Sequence, residues 1–369
     1  MKLIKNFFTI TVFLVAFLTL PKSIIRAIDS KSTKATITNI IEEKQITVMG
    51  VNQLYQKLEL ELDSNHQKII IENGNQALAN IIKYNINDRV IVTKDGIEMV
   101  EQYTITDFIR TDSLILLSII FLFFLIFIAK WKGISSVLGM AFTFIIVFIY
   151  ILPKISAGSN PISIAIFGSL IIIPISFYLT HGFNKKTTIA IVSSIFSLII
   201  TIVLGSIFIK IGHLTGLSSE EAGMLSLNQS YLNMKGILLA GIILGTLGVL
   251  DDITIAQTAV VEELSNTGKF PKSIDLYNHS MSVGRDHIAS MVNTLILAYA
   301  GASLPLLLMF IDNPHPFSEI INIEIISEEI IRTLIGSIGL ILAVPITTFL
   351  ATNIYTKKKQ KNKLNDTLR

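Results

Sequence analysis

Apolar segments of about twenty residues recur along this chain, and that recurrence restricts the fold more than any other feature. A bilayer core of about 30 Å is crossed by about 20 apolar residues of helix. Such segments fall near 3–20, 113–130, 134–152, 160–180, 187–209, 236–263, 288–311 and 330–352, which predicts eight transmembrane helices. Hydrophobic residues make up 51% and charged residues 15% of the 369, against about 25% charged in an ordinary soluble domain. A soluble fold could not hide that much apolar side chain, so a cytosolic enzyme, a secreted domain and a disordered scaffold are excluded. Cysteine is absent, which excludes disulfides, a thiol nucleophile and thiolate-bound metal. The net charge of +3 is too small to imply a nucleic-acid partner. The expected fold is an α-helical polytopic membrane protein with one small all-β domain, and the bilayer is its first partner.

The segment Leu3–Leu20 has Lys2 and Lys5 ahead of it and Pro21 behind. Its apolar run Phe7–Leu20 is near the upper limit for a signal-peptide core, and no A-x-A site follows. A retained anchor over residues 1–27 is favoured over a cleaved signal, with the same orientation either way. Residues 28–108 then alternate, as in Lys57-Leu58-Glu59-Leu60-Glu61-Leu62 and Arg89-Val90-Ile91-Val92. Period two indicates half-buried strands, and Asn73-Gly74-Asn75 and Lys94-Asp95-Gly96 are turn signals. About five short strands predict a small OB-like barrel or sandwich. Its charges nearly cancel, so it reads as a docking or gating module rather than an oligonucleotide reader. Seven helices over residues 109–353 and a basic tail over 354–369 complete the chain.

Lys and Arg sit in alternate connections: Lys2 and Lys5; Lys130 and Lys132; Lys185 and Lys186; Lys269, Lys272 and Arg285; then the tail. The other loops hold few, and residues 312–329 hold none. The positive-inside rule places both termini in the cytoplasm and residues 28–108 outside, in a bacterial plasma membrane.

An ionisable side chain at bilayer depth costs about 2.5–3.5 kcal/mol even on insertion scales, so such residues are functional candidates. The sixth predicted helix carries Asp251 and Asp252. Gly241, Gly245, Gly248 and Asp252 share one stripe, where small residues let another helix approach. Asp252 is therefore expected at a packed interface. Asp251, Thr254, Thr258 and Glu262 form the adjacent polar stripe. Two neighbouring carboxylates do not both ionise easily in low dielectric, and such a pair can carry a proton or release a cation. A structural role remains open, in which the pair caps a broken helix or meets Arg285. The seventh helix places Asp286, Ser290 and Asn293 on one face, with His287 one stripe over. Arg285, Asp286, His287 and Glu262 then make a polar mouth at the cytoplasmic side, and Asn293 lies deeper. No Walker A, G-x-S-x-G, H-E-x-x-H or G-x-G-x-x-G context is present, so no enzyme and no cofactor is expected, and a metal is left undetermined.

The blocks Leu247-Gly248-Val249-Leu250-Asp251-Asp252-Ile253-Thr254 and Val283-Gly284-Arg285-Asp286-His287-Ile288-Ala289-Ser290-Met291-Val292-Asn293-Thr294-Leu295 resemble the YibE/F-like family of bacterial membrane proteins. The resemblance runs from the outer domain through the last helix. It points to Asp252 over Asp251, and it implies a paired short-form subunit or a homo-oligomer as partner. The Gly-rich helix with its aspartates is also similar to one in RND transporters and SecD/SecF components, where the aspartates resemble a proton relay. Those proteins pair them with an intramembrane Lys that this chain lacks. The expected function is a secondary transporter or proton/cation-coupled membrane machine of unknown substrate. The alternative is a non-transporting scaffold or envelope assembly factor whose outer domain binds a partner.

Overall fold

The computed structural model describes residues 32–76, 81–95, 102–311 and 316–367. The predicted anchor at 3–20, and Gly96 of the predicted turn, lie outside these residues. The chain divides into two compact units, Met1–Phe127 and Ile128–Arg369.

The first unit contains an antiparallel sheet of β1 (Ser32–Val48), β2 (Val51–Leu62), β3 (Lys68–Asn73), β4 (Arg89–Asp95) and β5 (Gln102–Phe108), in the order β3-β2-β1-β4-β5. Alternation puts Ile37, Leu58, Leu60, Leu62, Val90 and Val92 on the buried face. The edge strands β3 and β5 touch one another, which is compatible with a partly open five-stranded barrel. β1 and β2 form a long hairpin closed by Met49 and Gly50, at φ 51° and 83°. That is the two-residue turn whose twist suits a hairpin, and the sequence around it carries no Asn-Gly or Asp-Gly signal. At Gly74 (φ 86°) a β-carbon would strike the Leu54 carbonyl, so the predicted turn there needs glycine. Gln56 is fully buried and ties the strands to the following segment. Its Nε2 donates to Glu43 Oε2 and to the Tyr84 carbonyl, both at 2.9 Å, and its Oε1 accepts from the Tyr84 N–H at 2.9 Å.

The helices are α1 (Thr111–Ile146), a π turn (Val147–Ile151), α2 (Leu152–Ser156), α3 (Pro161–His181), α4 (Lys185–Ile211), α5 (Glu220–Asn228), α6 (Met234–Asn266), α7 (Ser273–Ala302), α8 (Leu304–Ile311), α9 (Phe317–Ile320) and α10 (Glu324–Thr367). Among the described residues five runs are long and apolar enough to cross a membrane: Thr111–Ser156, Pro161–His181, Lys185–Ile211, Met234–Asn266 and Glu324–Thr356. The protein is therefore a membrane-embedded helical protein carrying an antiparallel sheet. The first run is 46 residues long and contains two predicted helices. It breaks at Lys130 (φ 52°, ψ −129°), inside the Lys130-Trp131-Lys132 cluster. The predicted helix at 288–311 differs more. α7 begins at Ser273 and ends at Ala302, and it is not among the apolar runs. Its first turns are polar, which hides a helix from a hydropathy criterion.

In the second unit α6 packs against both α4 and α10, with α3 on α6 and α7 on α10. Ile243, Leu250, Ile253 and Val261 of α6 are buried there. A seam of hydroxyls runs through the same interior. Ser194 and Thr254 share a hydrogen bond at 3.0 Å, and Ser193, Ser197, Thr201, Thr246, Thr258, Thr348 and Thr352 each donate to the carbonyl four residues back. Back-bonding satisfies a hydroxyl without water. Buried Gln257 bridges two further helices, its Nε2 donating to the Ser280 carbonyl at 3.1 Å and to Thr348 Oγ1 at 2.7 Å.

Close helix approach occurs at glycines other than those expected. A β-carbon at Gly205 would lie 2.5 Å from Leu239, one at Gly284 2.6 Å from Val344, and one at Gly339 inside Thr201. At Gly241 and Gly248 it would meet open space, and at Gly245 only the Tyr299 hydroxyl at 3.7 Å. The stripe Gly241, Gly245, Gly248 and Asp252 is exposed rather than packed. The reason is that α6 turns its branched and hydroxyl face into the bundle, where it makes far more dispersion contact than glycines could.

Two carboxyls of the sheet unit are held below their ordinary values. For Glu43 the cause is first its hydrogen bond with Lys83 and then that with Gln56. For Asp107 it is first the Phe108 N–H and then Arg110. A depressed carboxyl contributes stability above its unfolded value, and that contribution fades as pH falls below about 4. Hydrogen exchange on the solubilised chain, corrected for intrinsic rates, is expected to show β1, β4 and β5 losing protection between about pH 5 and 3. Unchanged protection across that range would contradict the assignment.

Candidate functional site

α6 opens on Asn233, whose side chain accepts from the Gly236 N–H at 3.0 Å and so caps the helix. Asp251 lies 17 residues beyond Met234, about 26 Å along the axis. Its neighbours Leu250, Ile253 and Thr254 are buried, which fixes the rotation of the helix. Asp251 is consequently half-buried at the edge of the bundle, and Asp252 is exposed.

Asp251 Oδ1 is shielded from solvent and accepts no hydrogen bond. His181 Nε2, at the last residue of α3, stands 3.4 Å from it. The charges acting on Asp252 are Asp251, His181 and His287. The two aspartates are thus flanked by imidazoles from two other helices, α3 and α7. His181 directly follows the helix predicted at 160–180, and nothing in its sequence neighbourhood links it to a residue 70 positions away. The clue lay in its position, as the last residue of one apolar helix at the level of carboxylates on another.

The other expected site residues separate. Thr254 and Thr258 are fully buried and bonded to the Leu250 and Thr254 carbonyls at 2.7 Å, so they belong to the hydroxyl seam and not to the carboxylates. Asn293 is exposed and makes no hydrogen bond among the described residues. Glu262 stands beside Tyr355 of α10. Arg285 and Asp286 are exposed, and among the described residues Arg285 forms no ion pair, either with Asp286 or with the aspartate pair. The structural alternative in which Arg285 neutralises the pair is therefore not what the structure shows. Of the expected mouth only His287 lies in the field of Asp252. Among the described residues no group of three or more ligating side chains is placed to hold a metal ion.

A second charged constellation lies at the other end of α6. Arg332 of α10 pairs with Glu328 and Glu329. Ser218 donates to Glu328, and Glu324 accepts from the N–H and hydroxyl of Thr215. These carboxylates pin the loop after α4 to the start of α10. A cavity of about 380 Å³ opens beside them, walled by Leu225, Met234, Ile237 and Leu238. The i, i+4 spacing of Glu328 and Arg332 is the signal the sequence carries for this pair.

The absence of cysteine makes accessibility directly measurable. With a nitroxide spin label on a single introduced cysteine, Asp252→Cys is expected to be reached by an aqueous or a lipid-soluble relaxing agent, whereas Ile253→Cys, at a fully buried position, is expected to be reached by neither. Equal accessibility at both sites would contradict the rotation of α6.

The family model of YibE/F-like proteins matches residues 117–357, nearly two thirds of the chain. The match takes in α6, α7 and the aspartate pair but leaves out the sheet, so the likeness is narrower than one running from the outer domain onward. No curated protein and no solved structure matches the chain. On the strength of that match the chain belongs to the YibE/F-like protein family.

Proposed function

We propose that this chain is a multi-pass protein of the bacterial plasma membrane that binds and passes a proton or small cation at Asp251 and Asp252. The observation that carries this reading is the pairing of Asp251 with His181 at 3.4 Å beside a second, open carboxylate. A membrane helix carrying two adjacent carboxylates is costly unless they exchange charge with their surroundings. Asp251 Oδ1 has no hydrogen bond that would lock it into one protonation state. The positive-inside pattern supports both termini in the cytoplasm, with residues 28–108 outside as an OB-like domain. In that orientation His181, Lys185 and Lys186 face the cytoplasm. The reading invokes no cofactor and no enzymatic step.

The open edge formed by Gly241, Gly245, Gly248 and Asp252 favours a second reading, a scaffold paired with another copy or a short-form subunit. There the outer domain binds an envelope partner and the aspartates contribute only to assembly. The two readings separate in reconstituted liposomes carrying an imposed pH or cation gradient. Wild type is expected to dissipate the gradient, and Asp251→Asn and Asp252→Asn each to abolish dissipation while remaining folded and inserted. Equal behaviour of all three folded proteins would sink the transport reading.

A further inference from the structure

His181 ends α3, and the chain turns away at Gly182 (φ 79°). The turn is braced: Asn184 Nδ2 donates to the His181 and Gly182 carbonyls at 2.8 and 3.2 Å, and its Oδ1 accepts from the Thr187 N–H at 2.9 Å to cap α4. One side chain thus fixes both the ring's backbone and the start of the next helix. The ring stands between that turn and the carboxylate, with the His181 and Asp251 side chains 29% and 26% exposed. Among the described residues it makes no hydrogen bond of its own. Phe183 and Asn184, beyond it, are exposed.

We infer that His181 is the proton-exchange group of Asp251, relaying protons between the carboxylate and the water around the 182–184 turn. The inference rests on the carboxylate reading above and names the residue that serves it. A protonated imidazole hands its proton from Nε2 to Asp251 Oδ1: the N–H bond breaks, the O–H bond forms, and an imidazolium–carboxylate pair becomes an imidazole and a carboxylic acid. Water at the turn returns a proton to the ring, and no other reactant takes part. Imidazole suits the role because it changes charge in the neutral range. The charged and titratable groups around it are Asp251 and Asp252 from α6, His287 of α7 acting on Asp252, and Lys185 and Lys186 at the start of α4. Tyr178, one turn back on α3, is engaged with Thr188 at 3.0 Å. Asp252 has no partner at ion-pair distance among the described residues, so the exchange is assigned to Asp251.

The test uses the full chain in liposomes. His181→Ala is expected to slow gradient dissipation on the order of a hundredfold, a usual range for loss of a positioned proton-transfer group. It is also expected to flatten the pH profile between about 5.5 and 7.5, and added imidazole is expected to restore the rate. A wild-type rate and pH profile in His181→Ala, with Asp251→Asn inactive, would overturn the role of His181 and leave the carboxylate reading standing. Absence of dissipation by wild type itself would remove the carboxylate reading instead. Nitrogen-15 NMR of labelled histidines reads the pairing with His181 in place. The His181 ring resonances are expected to move in Asp251→Asn, and unmoved resonances would overturn the inference even where His181→Ala fails to fold.

Discussion

An ionised carboxylate turned toward hydrocarbon costs about 2.5–3.5 kcal/mol on insertion scales, and α6 carries two side by side. The helix does not bury both: Asp251 is half-buried and Asp252 is exposed. Its rotation is settled by the branched residues between α4 and α10, with Ile243, Leu250, Ile253 and Val261 all inside. That leaves Asp251 at the rim and Asp252 outside it. His181 is the group that α3 brings to the rim, its Nε2 3.4 Å from Asp251 Oδ1, a place Arg285 does not take.

The interior of the bundle answers the same demand differently. Many of its hydroxyls turn back onto their own helices, and Gln257 joins α6, α7 and α10 through the Ser280 carbonyl and Thr348. Polar atoms in a dry core are tolerated when bonded, and here Gln257 and the Ser194–Thr254 pair tie neighbouring helices together. Gly284 brings α7 close against Gln257 of α6 and Val344 of α10, where the Gln257 bonds form. The framework and the proposed exchange site are thus built from different residues of the same helix: Thr254 and Gln257 on one side, Asp251 on the other.

Much of this architecture was legible in the sequence. Hydropathy located apolar runs, and period-two alternation marked β2 and β4, where Leu58, Leu60 and Val90 form part of a core. Periodicity also grouped Gly241, Gly245, Gly248 and Asp252 on one face correctly. It could not say whether that face was covered, because coverage depends on what neighbouring helices present, and the close approaches come from glycines on α4, α7 and α10. α7 was cut short because Asp275, His279 and Arg285 in its first half suppress hydropathy without stopping a helix. The contact of His181 with Asp251 was invisible for a related reason: it joins the end of one helix to the middle of another, with no local pattern at either residue.

The claim on which the account turns is that the aspartate pair changes protonation in the membrane, and infrared spectroscopy of the protein in lipid bilayers reads it directly. A protonated-carboxyl band that titrates with pH, diminishes in Asp251→Asn and again in Asp252→Asn, and shifts its midpoint in His181→Gln is the predicted result. A spectrum in which neither aspartate variant removes any titrating carboxyl signal would contradict it, and would leave the pair as a feature of helix assembly.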